Sequence, residues 1–149
     1  MHMSVKVYLD TCSLQRPLDS RTQIRISLEA EAVMGIIALL EEGRVELASS
    51  DVLLFEVQRN PHFERCVYAL GVLEKASTFV PIDSVIRQRA AELKEKGLNA
   101  LDALHLAAAE VANVDYFCTT DDRLLKRGKS LVRMGTRIVS PVELIEELE

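Results

Sequence analysis

Apolar and polar positions along the chain alternate between two rhythms, short continuous apolar runs and longer stretches with helical spacing. Val5-Lys6-Val7-Tyr8-Leu9 is a run of the first kind, closed by Asp10, and predicts a strand. Residues 11–21, with Pro17, show no periodicity and are expected to form a loop. A long helix is predicted over residues 22–42, with Gly43 as its stop signal. Residues 45–48 read as a second strand, and Ser50 can cap a helix over residues 51–59 that Asn60-Pro61 ends. A further helix is expected over residues 62–75. A third strand follows over residues 78–82, near a sheet edge because Pro81 cannot donate to a ladder. Asp83 can cap a helix running to Lys96. Asn99 opens an Ala-rich helix over residues 100–112, and residues 116–119 form a fourth strand. A short helix over residues 122–126, a basic turn and a fifth strand over residues 136–139 precede Ser140-Pro141, the cap and first position of a final helix.

Strand–helix alternation of this kind defines an α/β fold, a mostly parallel sheet with helices on both faces. With 149 residues and no linker or repeat, one domain spanning residues 1–149 is expected. The hydrophobic fraction of 48% and charged fraction of 28% exclude a disordered chain. Trp is absent and aromatics are few, so the core must be aliphatic. No apolar run approaches the roughly 20 residues of a membrane helix, and no signal peptide is visible. Cys12, Cys66 and Cys118 are too scattered for a zinc site or disulfide framework. Small buried thiols in a reducing cytoplasm are the expectation, with Cys12 and Cys118 each near an acid. His2 is assigned no function.

Four acids stand out. Ligands bind beyond the carboxyl ends of parallel strands, where the strand order reverses. Asp10 follows the first strand and Asp121 the fourth, so the two meet if those strands are neighbours. Glu56 falls among Val52, Leu53 and Val57 on a helical wheel, where a metal or a paired Arg would compensate its charge. Asp102 opens the Ala-rich helix. Each also has a plain structural role, as a cap or a helix-margin acid. Together they cannot all stay ionised without a cation, and Mg²⁺ or Mn²⁺ prefers such oxygen ligands. His105, one turn after Asp102, can orient an acid or contact substrate, or be an ordinary buried histidine. Ser13 and Thr119 can donate to the carboxylates.

Four segments in order resemble the motifs of PIN-domain proteins, similar to the VapC-type toxins of toxin–antitoxin pairs. They are Val7-Tyr8-Leu9-Asp10-Thr11-Cys12-Ser13, Ser50-Asp51-Val52-Leu53-Leu54-Phe55-Glu56-Val57, Asn99-Ala100-Leu101-Asp102-Ala103-Leu104-His105-Leu106-Ala107-Ala108-Ala109 and Phe117-Cys118-Thr119-Thr120-Asp121-Asp122. The resemblance implies a three-layer α/β/α fold with about five strands ordered 3-2-1-4-5. It also implies an endoribonuclease dependent on Mg²⁺ or Mn²⁺, with Asp10, Glu56, Asp102 and Asp121 as the acidic cluster. Asp122 competes with Asp121 for the fourth place. A homodimer and a cognate antitoxin are the implied protein partners.

A net charge of −5 argues against a surface that grips nucleic acid everywhere. A local basic stretch from Arg123 to Arg137 has no acid in it, and Arg123, Lys126 and Arg127 can hold phosphates beside Asp121. Arg16 is a weaker candidate for the same role. In the reaction implied, Asp10 and Asp102 bind metal directly, while Glu56 and Asp121 act through water or a second ion. A phosphatase of the haloacid-dehalogenase kind would need an acid where Cys12 stands. A receiver domain would need an acid pair before its first helix, and no Gly-rich phosphate loop follows the first strand. Two alternatives remain: an interaction module on the same fold, and a stand-alone RNA-processing nuclease without an antitoxin.

Overall fold

Val7, Tyr8 and Leu9 are buried on both faces of the chain, which is the environment of a central parallel strand. The computed structural model, which describes residues 4–149, puts them there; His2 lies outside the described residues. Strand β1 (Val5–Leu9) is flanked by β2 (Val45–Ser50) and β4 (Tyr116–Cys118), with β3 (Thr78–Val80) and β5 (Arg137–Val139) at the edges. The order is β3-β2-β1-β4-β5 and every neighbouring pair is parallel. The expected topology is thus observed, with the order reversing beside β1. Leu9 pairs with Cys118, so Asp10 and Thr119 leave the sheet side by side.

Helices flank the sheet: α1 (Thr11–Gln15), α2 (Ile24–Glu41), α3 (Asp51–Gln58), α4 (Phe63–Leu73), α5 (Ser84–Glu95), α6 (Ala100–Val111), α7 (Asp122–Leu131) and α8 (Pro141–Leu148). The three-layer α/β/α arrangement that the resemblance implies is observed. α2 packs on α8, and α5 on α6. α6 earns its close approach to the sheet with small side chains: Ala103, Ala107, Ala108 and Ala109 are all buried. No helix among the described residues is long and apolar enough to cross a membrane.

Several boundaries differ from the sequence expectation, among them the third strand, which ends at Val80, and three of them bear on the site. The segment expected as a loop holds α1 and a 3₁₀ turn over Arg16–Leu18, because the Asp10 carboxylate caps α1 and Leu14 is buried beneath it. Strand β2 runs on to Ser50, which then caps α3 through the Leu53 N–H. Helix α7 extends past Lys126 to Leu131, absorbing the basic turn. Gly128 sits inside it, where a Cβ would lie 2.4 Å from Ile138 Cδ1 of β5.

A buried clamp ties this basic helix to the rest. Glu110 of α6 is fully buried and accepts two hydrogen bonds from Arg89 of α5, at 2.7 and 3.0 Å. It also accepts the Arg133 N–H at 2.8 Å, and Arg89 reaches the Leu131 carbonyl at 3.0 Å. Removing one member of a buried pair strands the other. Glu110→Ala is therefore expected to lower unfolding free energy by about 3 kcal/mol in urea titrations. A loss below about 1 kcal/mol, the scale of a surface pair, would contradict the clamp.

Candidate metal centre

Pairing of β1 with β4 extends one rung beyond the strands, because the Asp10 N–H donates to the Cys118 carbonyl at 3.1 Å. That bond fixes Asp10 at the sheet's carboxyl edge. Its Oδ1 accepts from the Ser13 N–H and the Cys12 thiol, both at 3.1 Å. Burial pushes its pKa above the ordinary aspartate value, against hydrogen bonds from Thr119, Cys12 and Ser13 that favour the charged form. The Ser13 hydroxyl, expected to serve a carboxylate, donates instead to the Cys118 carbonyl at 3.1 Å. Thr119 accepts the Asp121 N–H at 3.1 Å. Cys12, Cys66 and Cys118 are free thiols.

Glu56 lies at the margin of α3's apolar face, with its side chain 32% exposed. Within the chain its partners are His105, whose Nε2 lies 2.8 Å from Oε1, and the Thr11 hydroxyl, which donates to the same oxygen. The hydrogen bond from His105 holds the Glu56 carboxyl below its ordinary pKa, with Thr11 adding to it against burial. His105 does not turn toward Asp102. Its ring is buried between Glu56 and Tyr8.

Asp102 and Asn99 bond reciprocally, the Asn99 amide donating to Asp102 Oδ2 at 2.9 Å and the Asp102 N–H to Asn99 Oδ1 at 2.8 Å. Asp121 caps α7, its Oδ1 accepting from the N–H groups of Arg123 and Leu124 at 2.9 and 3.2 Å. The capping roles foreseen for these acids are thus real. Glu56, Asp102 and Asp121 nevertheless each commit a single oxygen and leave the other without a hydrogen bond among the described residues. Asp102 is pushed up to about 6, by burial first and then by repulsion from Asp121, Asp10 and Glu56. The four acids therefore share one field.

Asp122 is drawn elsewhere. Arg25 of α2 grips its carboxylate through two hydrogen bonds of 2.8 and 2.7 Å and donates to the Thr120 carbonyl at 3.1 Å. Arg25 thus brackets Asp121 from both sides and turns its neighbour away. Arg16 is also committed: it pairs with Asp19 at 2.8 Å and with buried Glu29 at 2.9 Å, which removes it from the phosphate-binding candidates. Arg123 and Arg127, four apart on α7, line a cavity of about 190 Å³ together with Asp102, Asp121 and the Gly97–Asn99 turn. Lys126 is exposed outside that cavity. Sequence reasoning missed Tyr8, Thr11 and Arg25. Tyr8 carried a signal, since a phenol in a buried central strand must find a polar partner.

Among the described residues no three His, Cys, Asp or Glu side chains converge as a ready-made metal site. The donor set still suits a hard divalent ion. It consists of carboxylate oxygens, several without a partner among the described residues, and Mg²⁺ ordinarily retains waters between itself and such acids.

This fold and acidic edge define a class, and the family model described as PIN domain matches residues 7–130. The chain belongs to the PIN domain family. PIN domains are generally nucleases that use divalent metal ions. Among solved structures, PAE2754 from Pyrobaculum aerophilum is similar at 17% identity and a TM-score of 0.54, over 98% of each chain. VapBC2 from Rickettsia felis, solved bound to a DNA fragment from its promoter, is similar at 13% identity and a TM-score of 0.56, over 91% of this chain and 98% of that one. Comparison with curated proteins finds no match.

The folded protein holds the Asp102 proton more tightly than an unfolded chain does. The stability this contributes is present at acidic pH and is lost as pH rises from 3.8, the ordinary value, to about 6. Asp102→Asn is therefore expected to raise the melting temperature of the metal-free protein at pH 7.5 and to leave that gain absent at pH 4. Thermal unfolding at both values checks this; equal shifts at the two would contradict it.

Proposed function

We propose that the chain is a metal-dependent endoribonuclease, hydrolysing RNA phosphodiester bonds, and the toxin of a type II toxin–antitoxin pair. The observation that carries this reading is the parallel register of β1 with β4, which sets Asp10 at one carboxyl edge with Asp121 just past the end of β4, while Asp102 and Asp121 line one cavity there with carboxylate oxygens free of hydrogen bonds among the described residues. Asp10, Glu56, Asp102 and Asp121 would hold Mg²⁺ or Mn²⁺. Such an ion, when bound, lowers the pKa of a water and stabilises charge growing on a phosphoryl group. Asp10 and Asp102 are the direct ligands in this reading, with Glu56 and Asp121 bonding through water.

Arg123 and Arg127 stand in the same cavity as Asp102 and Asp121, and guanidinium groups suit the flanking phosphates of a strand. Lys126, exposed on the same helix, would add a longer-range contact. The likeness to VapBC2 supports an antitoxin as partner. Exposed Phe55, Phe63 and Val67 on α3 and α4 offer apolar surface to such a protein or to a second copy of this chain. Co-purification of a small partner separates a toxin from a stand-alone nuclease.

The test uses purified protein with single-stranded and structured RNA, and DNA as a comparison, in Mg²⁺ or Mn²⁺ with and without EDTA. Cleavage of RNA that stops with EDTA and in Asp10→Asn is expected. Asp121→Asn should lose about tenfold or more, and clearly more than Asp122→Asn. Cleavage that survives EDTA, or is retained in Asp10→Asn, sinks the mechanism.

A further inference from the structure

A single file of hydrogen bonds runs through the core from α3 to the acidic edge. Ser50 Oγ lies 2.8 Å from the Tyr8 hydroxyl, Tyr8 lies 2.7 Å from His105 Nδ1, and His105 Nε2 lies 2.8 Å from Glu56 Oε1. Ser50, Tyr8 and His105 are all buried. We propose that this file has one direction, Ser50 donating to Tyr8, Tyr8 to His105 Nδ1 and His105 Nε2–H to Glu56, and that Tyr8 and Ser50 are thereby positioning residues for Glu56. The inference rests on the reading of Glu56 as one of the metal-holding acids.

The direction follows from counting donors. Ser50 Oγ already accepts the Leu53 N–H at 3.1 Å, so its own hydrogen is free to donate. The Tyr8 phenol carries a single hydrogen at neutral pH, as an ordinary tyrosine does. With the proton of a neutral imidazole on Nε2, every hydrogen in the file meets an acceptor. With it on Nδ1, Tyr8 would have to donate back to Ser50. The serine hydrogen would then have no acceptor, and the Nε2 lone pair would face a carboxylate 2.8 Å away. Buried polar groups left unpaired in this way are costly. The direction in turn points the Nε2–H at Oε1, and Oε2 has no hydrogen bond among the described residues. The Tyr8 ring is held independently of its hydroxyl, stacked on Phe117 with centroids 5.3 Å apart and planes 10° from parallel.

The test reads the tautomer directly, by ¹⁵N NMR of the His105 ring in the metal-free protein at pH 7.5. The expected spectrum has a protonated Nε2 and an unprotonated, hydrogen-bonded Nδ1. Tyr8→Phe, which keeps the ring stack, should leave the proton on Nε2 and move the Nδ1 resonance to that of an unprotonated nitrogen without a hydrogen bond. In the Mn²⁺ reaction with RNA it should lower kcat about tenfold with KM nearly unchanged, and Ser50→Ala should do the same more weakly. Phe117→Leu should lower the melting temperature without moving the Nδ1 resonance, which separates positioning from bulk stability. A wild-type ring protonated on Nδ1, or on both nitrogens, overturns the proposal, as does a Tyr8→Phe protein with an unchanged Nδ1 resonance and kcat. Should wild-type protein cleave no RNA while the Nε2–H tautomer is found and Tyr8→Phe shifts the Nδ1 resonance, the nuclease reading fails and the direction of the file stands.

Discussion

Parallel pairing of β1 with β4 is the constraint on which everything functional depends. The register Leu9 with Cys118, continued by the Asp10 N–H to the Cys118 carbonyl, brings the ends of two strands far apart in sequence to one edge. A slip of one residue would reverse every side chain of β1, turning Tyr8 away from His105 and Asp10 away from α1. Burial of Val7, Tyr8 and Leu9, and the stack of Tyr8 on Phe117, oppose such a slip. The same strand thus supplies the core and aims the site.

The acids hold two jobs at once. Asp10 and Asp121 cap helices, Asp102 bonds reciprocally with Asn99, and Glu56 bonds to His105 and Thr11. These bonds orient the carboxylates without exhausting them, so stability of the apoprotein and readiness for a cation are not in opposition at each oxygen. They are in opposition as charges, and that repulsion adds to burial in raising Asp102 to about 6. Around the edge, Arg25 diverts Asp122, while Arg123 and Arg127 supply positive charge one helix away.

Much of this was legible in the chain. Apolar runs located five strands, and the acids closing the first and fourth pointed to the edge where ligands bind. What was not legible depended on tertiary partners. Residues 11–21 show no periodicity, yet Asp10 caps α1 there once β1 and β4 have fixed its position. Nothing in the sequence marks Gly128 as the place where Ile138 packs against a bare Cα. Arg16 and Arg25 are alike as sequence, and only the neighbours Glu29 and Asp122 assign them to ion pairs rather than to substrate. His105 could be placed on the face of Asp102 by spacing, but its partners Glu56 and Tyr8 come from other elements.

The central claim is that the acidic edge is a cation site. Isothermal titration of the metal-free protein with Mn²⁺ at pH 7.5 tests it without reference to any substrate. The account predicts saturable binding in the millimolar range or tighter, weakened by Asp10→Asn and by Asp102→Asn and retained in Asp122→Asn. Absence of binding at millimolar Mn²⁺ would contradict it and favour a PIN-fold interaction module in place of a nuclease.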